Sequence, residues 1–180
     1  MRIVFLDIDG VLNSVDWFKR RDPAVRKERD GSDESYAMCQ IDDLAIGQLN
    51  RLVAETGAKM VISSTWRKYW SQEAILGMLR LRGFTGEVIG MTLDLWSRKM
   101  EEVAVWREVG RGLEIQAWME DHPGTESFVI LDDDSDMGLL RPRLTHVANE
   151  SGLCASHVEE AVRLFGVPWE DPFRAPVLRL

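Results

Sequence analysis

The chain has 180 residues, of which 45% are hydrophobic and 29% charged, a balance that is typical of a folded globular protein and excludes wholesale disorder. Its formal net charge of −8 disfavours broad attraction to nucleic acid or to an anionic membrane, because such binding depends on clustered positive charge. At this length we expect a single domain spanning residues 1–180.

The cysteine content and the N-terminus favour a cytoplasmic protein. Cys39 and Cys154 are too few for a disulfide framework and too far apart for a zinc knuckle, which predicts reduced thiols, and the three scattered histidines predict no zinc site. The apolar N-terminus soon reaches Asp7 and Asp9, so it matches neither a signal peptide nor a membrane span. We therefore expect no partnership with a membrane.

The chain opens on "RIVFLDI" (residues 2–8), an apolar run whose length predicts a strand covered on both faces. The polar, charge-dense residues 14–40 that follow predict a small cap or flap insertion. Within it, Trp17 and Phe18 precede the basic residues 19–21. These aromatic side chains could stack a base beside a held phosphate, or they could pin the flap to the domain.

A helix and a second strand come next. Residues 41–57 carry a one-sided apolar stripe, with Asp42 or Asp43 as the candidate N-cap and Gly57 as the candidate stop, which predicts a helix. Residues 58–64, "AKMVISS", predict the second strand.

The middle of the chain continues the alternation. Residues 71–83 predict a helix, residues 86–92 the third strand, and residues 98–121 further helix. Gly110 and Gly112 are expected to break this last segment into two helices.

The last third predicts strands over residues 127–133 and 144–149, and then a helix with Ser156 and Glu159 in capping-box spacing. Residues 167–180 hold three prolines and predict an irregular C-terminal tail. Strands that alternate with helices predict an α/β fold, a Rossmann-like and mostly parallel sheet with flanking helices. Tryptophans on the helical segments are expected to pack in the core: Trp66, Trp70, Trp106 and Trp118.

Polar side chains follow three of the predicted strands: Asp7 and Asp9 the first, Ser63, Ser64 and Thr65 the second, and Asp132, Asp133, Asp134 and Asp136 the fourth. Ligands bind beyond the carboxyl ends of such strands, so these side chains should share one crevice. Clustered carboxylates repel one another unless a cation joins them, and Mg²⁺ is the usual hard cation where phosphate also binds.

The spacing of Asp7 and Asp9 is suited to a two-step reaction at one site. Asp7 and Asp9 point to the same side of an extended chain, and Gly10 lets the backbone turn or approach a ligand closely. One carboxylate can attack as a nucleophile while the other transfers protons. Hydroxyl and N–H groups around Ser64 suit phosphate oxygens. Each feature alone has a structural explanation: residues 7–10 could be only a turn, residues 63–65 a helix cap, and residues 132–136 a solvated acidic loop.

The stretches "FLDIDGVLN", "MVISSTWR" and "VILDDDSD" resemble, in this order, motifs one, two and four of the haloacid dehalogenase (HAD) superfamily of phosphohydrolases. The resemblance covers roughly residues 2 to 165 and implies the HAD fold. The stretches "SSTWR", "RGLEIQAWM" and "ESGL" are similar to the sequences of a HAD branch found in RNA-repair proteins. They are more distantly similar to the phosphatase half of polynucleotide kinase-phosphatases.

The resemblance implies a division of roles. Asp7 would attack phosphorus and become transiently phosphorylated, while Asp9 would protonate the leaving oxygen and then activate water. Mg²⁺ would be held by Asp7, by the backbone carbonyl of Asp9 and by Asp132 or Asp133, with Asp136 as a supporting partner.

The phosphate would be bound at motif two by Ser64, with Ser63 as the one-residue alternative, and the neighbouring Thr65 and Gly10 would assist. The motif-three cation would be Arg111, with Lys99 as the competitor.

Arg67 and Lys68, just past motif two, would suit a second phosphate or the leaving group. The implied function is Mg²⁺-dependent phosphomonoester hydrolysis, with an RNA or DNA 3′-phosphate as the specific expectation. The alternatives are a small-metabolite or 5′-nucleotide phosphatase, which the acidic pI favours, and a phosphate-binding module without turnover.

Overall fold

A computed structural model of the chain describes residues 1–21, 40–95 and 110–169. Five strands form one parallel sheet in the order β3-β2-β1-β4-β5, so the first strand lies at the centre. The strands are β1 (Arg2–Leu6), β2 (Lys59–Ile62), β3 (Val88–Met91), β4 (Ser127–Asp132) and β5 (Leu144–His146). The predicted α/β fold with a Rossmann-like parallel sheet is confirmed.

The helices flank the sheet. They are α1 (Val15–Arg20), α2 (Asp43–Thr56), α3 (Gln72–Leu81), α4 (Arg111–Asp121) and α5 (Ala155–Phe165), with 3₁₀ turns at Thr65–Lys68 and Gly138–Arg143. At the start of α2, Asp42 is the N-cap and accepts a hydrogen bond from the N–H of Leu44. Gly57 ends this helix with φ 65°, a left-handed conformation that favours glycine. Both boundary predictions are therefore confirmed.

Both faces of the sheet are covered, which explains why the strands read as continuous apolar runs. On one face, Val4 and Leu6 of β1 pack in a core with α2, α3 and α5. On the other face, Ile3 and Phe5 pack with α4 and with Met137 and Leu140. Residues Ile3 to Leu6 of the central strand are fully buried, so the residue that follows them is held in a rigid frame.

Two predicted helix boundaries are wrong. Gly112 does not break a helix but lies in the first turn of α4, which begins after Gly110. The last helix begins at Ala155 with Cys154 as its N-cap, whose N–H donates to Nδ1 of His157. Ser156 therefore lies inside α5 and is not its cap.

The predicted insertion over residues 14–40 begins with α1, and its residues 22–39 lie outside the described residues. Trp17 lies against the domain, because the guanidinium group of Arg82, which follows α3, is 6.0 Å from its ring centroid. This contact favours the pinning role for Trp17. Other predictions that lie outside the described residues concern Cys39, Lys99, residues 98–109 with Trp106, and residues 170–180 of the tail.

Among the helices that the structure describes, none has both the length and the apolar character needed to cross a bilayer.

Candidate active site

The sheet brings the first and fourth strand ends together at its centre. The N–H of Asp7 donates to the carbonyl of Leu131 in β4 over 2.9 Å, and the N–H of Ser63 donates to the carbonyl of Leu6 over 2.8 Å. Because β1 lies between β2 and β4, residues from three separate parts of the sequence meet at one edge of the sheet.

Three carboxylates form a cluster at this edge. Asp7, Asp132 and Asp133 each offer an oxygen that lies within 4.8 Å of the other two. Oδ1 of Asp7 and Oδ2 of Asp132 are buried and have no hydrogen-bond partner among the described residues. Buried polar atoms without a partner are costly, so a hard cation fits this site on the chemistry of its donors.

The raised pKa values of the three carboxyl groups also favour a bound cation at this site. Burial raises the pKa of Asp132 to about 8, and the nearby charge of Asp7 adds to this rise. Burial also raises the pKa of Asp7 to about 6, although Arg111 and a hydrogen bond from Ser64 oppose the change. The pKa of Asp133 is raised as well, chiefly by burial. A divalent cation among these groups would favour their ionised forms.

Gly10 allows one member of the cluster to approach. Its φ of 73° lies in the left-handed region, and an added Cβ would overlap the carboxylate of Asp133. Glycine at this position therefore permits both the turn after Asp9 and the placement of Asp133 over it.

Arg111, the first residue of α4, supplies a positive charge to the cluster. Its Nε lies 3.5 Å from Oδ2 of Asp132 and its Nη2 lies 3.9 Å from Oδ1 of Asp7. Its backbone N–H donates to Oδ2 of Asp136 over 2.8 Å. Asp136 thus holds the start of α4 and is not among the clustered carboxylates. Asp136 therefore contacts the backbone of Arg111, and it is Arg111 that lies beside the predicted metal ligands.

The glycines on either side of Arg111 explain how α4 comes so close. A Cβ at Gly110 would lie 2.6 Å from the carbonyl oxygen of Asp136, and a Cβ at Gly112 would overlap the carbonyl of Met137. Only residues without a side chain let the helix start press against the loop that follows β4.

Asp9 is held by donors to both of its oxygens. Nδ2 of Asn13 donates to Oδ1 over 2.9 Å, and Nε1 of Trp66 donates to Oδ2 over 3.0 Å. Asn13 also accepts a hydrogen bond from the N–H of Gly10 over 2.8 Å, which closes the turn. Asp9 is exposed to a pocket, so its orientation is fixed while it remains accessible.

The two serines of motif two have different surroundings. Ser64 is fully buried, caps the turn Thr65–Lys68, and its hydroxyl lowers the pKa of the Asp7 carboxyl against the effect of burial. Ser63 accepts a hydrogen bond from the hydroxyl of Thr92 at the end of β3. Thr65 is exposed and lines the pocket beside Asp9. Of the two serines, Ser64 is therefore the one next to the carboxylate cluster.

Arg67 and Lys68 contact acidic residues. Arg67, with a side chain only 5% exposed, pairs with Glu114 at 2.5 Å and donates to the carbonyl of Ser64 over 2.6 Å. Lys68 lies 3.5 Å from Asp94. Substrate binding by these two residues stays a prediction, and the contacts of Arg67 do not favour it.

Three site residues were not identified from the sequence: Asn13, Trp66 and Glu114. Trp66 is buried as expected, but its indole N–H contacts Asp9. Glu114 is 4% exposed, pairs with Arg67, lies 4.0 Å from Arg111 and accepts from the N–H of Leu95. The sequence feature that could have identified Glu114 is a charged residue on the apolar face of the predicted helix, one turn after Arg111 and beside Ile115.

Comparison with known families gives one match that covers most of the chain. A family model described as the HAD domain in Swiss Army Knife RNA repair proteins matches residues 3–158. No curated protein and no solved structure is significantly similar to the chain.

Proposed function

Because the chain belongs to the family of HAD domains in Swiss Army Knife RNA repair proteins, we propose that it is a Mg²⁺-dependent phosphomonoesterase that works through an aspartyl-phosphate on Asp7. Membership in this family implies a hydrolase of the phosphatase type. The specific substrate that we propose is a nucleotide or a nucleic-acid end that carries a 3′-phosphate.

The observation that carries the proposal is the convergence of Asp7, Asp132 and Asp133 beside Arg111 at the ends of β1 and β4. Asp7, Asp132 and Asp133 would hold Mg²⁺, with the carbonyl of Asp9 as a further ligand. The ion, when bound, would neutralise negative charge on the carboxylates and the phosphoryl group.

In the first half-reaction, a carboxylate oxygen of Asp7 attacks phosphorus and the bond from phosphorus to the leaving oxygen breaks. Asp9 donates its proton to that oxygen, which departs as an alcohol. In the second half-reaction, Asp9 accepts a proton from water, and the water oxygen attacks the phosphorus of the aspartyl-phosphate. Asp7 is regenerated and inorganic phosphate leaves.

Arg111 and Ser64 bind the phosphoryl group in this scheme. The guanidinium of Arg111 stabilises oxygens whose charge changes during transfer. The hydroxyl of Ser64, already next to Asp7, donates to a phosphoryl oxygen, and Thr65 and Gly10 line the adjoining pocket.

The test is phosphate release by the full chain with Mg²⁺ from 3′-phosphorylated oligonucleotides, mononucleotides and sugar phosphates. Asp7→Asn should abolish turnover, because an amide cannot displace the leaving alkoxide. Asp121→Asn, the same change at an exposed position in α4, should leave turnover unaltered. Turnover by Asp7→Asn equal to that of the unaltered protein would disprove the assignment of the nucleophile.

A second candidate is a phosphatase of small metabolites or 5′-nucleotides. The net charge of −8 favours it, since a long polyanion is repelled by such a surface. Faster turnover of the small molecules in the same panel would support this candidate over a strand end. Phosphate binding without turnover of any ester would instead indicate a non-catalytic module.

A further inference from the structure

A pocket of about 620 Å³ lies beside the carboxylate cluster, a volume that suits a small molecule or one unit of a larger one. Four aromatic side chains line this aromatic pocket: Phe18, Trp66, Tyr69 and Trp70. Asp9 and Asp133 line it as well, so the pocket is continuous with the proposed reacting centre.

The position of Asp9 decides which part of a substrate enters the pocket. A general acid must come within hydrogen-bond reach of the leaving oxygen. Nε1 of Trp66 donates to the same carboxylate over 3.0 Å. The group attached to the leaving oxygen therefore lies next to Trp66 and extends into the aromatic pocket.

The lining favours a flat, uncharged ring. Tyr69 is 78% exposed, and a stacked ring would cover it. None of the described residues that line the pocket is lysine or arginine, whereas two are carboxylates. The two carboxylates would repel a second phosphate, although the guanidinium of Arg21 lies 4.7 Å from the ring centroid of Phe18. The amide of Asn149, which also lines the pocket, suits the polar edge of a heterocycle.

We infer that the aromatic pocket binds the nucleobase of the leaving nucleoside, which makes the substrate a nucleotide or the terminal nucleotide of a strand and not a phosphorylated sugar. This inference rests on the proposed function, since it locates the leaving group through Asp9. Stacking on aromatic side chains tolerates different bases, so the pocket selects the class of substrate more than its sequence.

The experiment compares Tyr69→Ala with Leu81→Ala, which removes an exposed apolar side chain of similar accessibility on α3. The full chain is assayed with Mg²⁺ on adenosine 3′-monophosphate, a 3′-phosphorylated oligoadenylate and glycerol 2-phosphate. Tyr69→Ala should lower kcat/KM on both nucleotides by about tenfold, mainly through KM, and lower it much less on glycerol 2-phosphate. Leu81→Ala should match the unaltered protein on all three.

Adenosine binding gives a readout that does not depend on turnover. Calorimetry on the Asp7→Asn protein should detect adenosine, and adding Tyr69→Ala should weaken the binding by about tenfold. A preference for either nucleotide substrate supports the base site and distinguishes a strand end from a mononucleotide.

The two proposals fail in different ways. Equal losses on glycerol 2-phosphate and on the nucleotides, together with no adenosine binding, would overturn the base site and leave the phosphatase intact. If no ester is hydrolysed, the proposed function fails, and adenosine binding alone then decides for or against the pocket.

Discussion

The indole nitrogen of Trp66 donates a hydrogen bond to Oδ2 of Asp9 over 3.0 Å, which joins residues that lie 57 positions apart in the sequence. The contact links the turn after β2 to the turn after β1. It fixes the carboxylate that we propose as the general acid, and it makes Trp66 a positioning residue as well as a core residue.

Trp66→Phe tests this contact. Loss of one hydrogen bond of about 1.4 kcal/mol should reduce kcat/KM, which reports the first half-reaction alone, by about tenfold on esters whose leaving group needs a proton. The loss should be much smaller on p-nitrophenyl phosphate, because its leaving group departs without protonation. Steady-state kinetics on both esters provides the measurement.

Trp118→Phe is the matched control for Trp66→Phe. It removes the same atoms from a tryptophan that is 5% exposed in the core on the other side of the sheet. It should cost stability without changing the ratio of the two rates. An equal loss of kcat/KM on both esters in Trp66→Phe would indicate a structural role alone.

Gly10→Ala should remove the response to Mg²⁺. Gly10 and Gly57 both have positive φ, 73° and 65°, but only at Gly10 would a Cβ meet Asp133, whereas Gly57 has open space within 4 Å. The positive φ alone costs alanine about 1 kcal/mol at either position, and only Gly10→Ala adds the overlap with Asp133. Thermal unfolding with and without Mg²⁺ should show stabilisation by the ion in Gly57→Ala and little in Gly10→Ala. A full Mg²⁺ response in Gly10→Ala would contradict the assignment of Asp133 to the metal site.

Glu114→Gln should destabilise the protein strongly. It leaves the buried guanidinium of Arg67 without its ionised partner, a change that costs about 3 kcal/mol for a buried pair. Glu55→Gln breaks an exposed pair with Arg51 on α2 and should cost less than about 0.5 kcal/mol. Denaturant unfolding measures both. Similar midpoints for the two variants would mean that the buried pair contributes little.

The metal-free protein should lose stability as pH rises. The folded-state pKa of Asp132 is raised from 3.8 to about 8, so the folded protein binds more protons than the unfolded chain between these values. The contribution of this group is complete below the lower value and is lost as pH rises through the higher one. Bound Mg²⁺ favours the ionised carboxylates, so its stabilising effect should grow over the same range.

Asp132→Asn isolates this contribution. Relative to the unaltered protein without Mg²⁺, it should gain stability from about pH 5 to about pH 8, by up to about 1.4 kcal/mol per pH unit, and it should lose the Mg²⁺ response. Asp121→Asn, at an exposed site, should follow the unaltered protein at every pH. A pH-independent difference between Asp132→Asn and the unaltered protein would refute the expected ionisation.

Much of the fold was determined by local patterns. Short apolar runs predicted all five strands, which are three to six residues long, because a strand in a parallel sheet is buried on both faces. Asp42 and Gly57 predicted the ends of α2, because N-caps and left-handed C-caps depend on the chemistry of single residues. Ser156 and Gly112 were misassigned, because the start of α5 depends on Cys154 and His157 and the start of α4 on the loop around Asp136.

For the site, the sequence by itself determined which chemistry is present: carboxylates and hydroxyls at strand ends and a cation on a helix, in the order typical of the HAD superfamily. Only the tertiary structure decided how they pair. The sheet order brings Asp7 next to Asp132. Helix α4 brings Arg111 next to Asp132 and pairs Glu114 with Arg67. The indole of Trp66 contacts Asp9. The physical reason is that these contacts join residues that lie 21 to 125 positions apart in the sequence. Composition and spacing carry no information about packing between such residues.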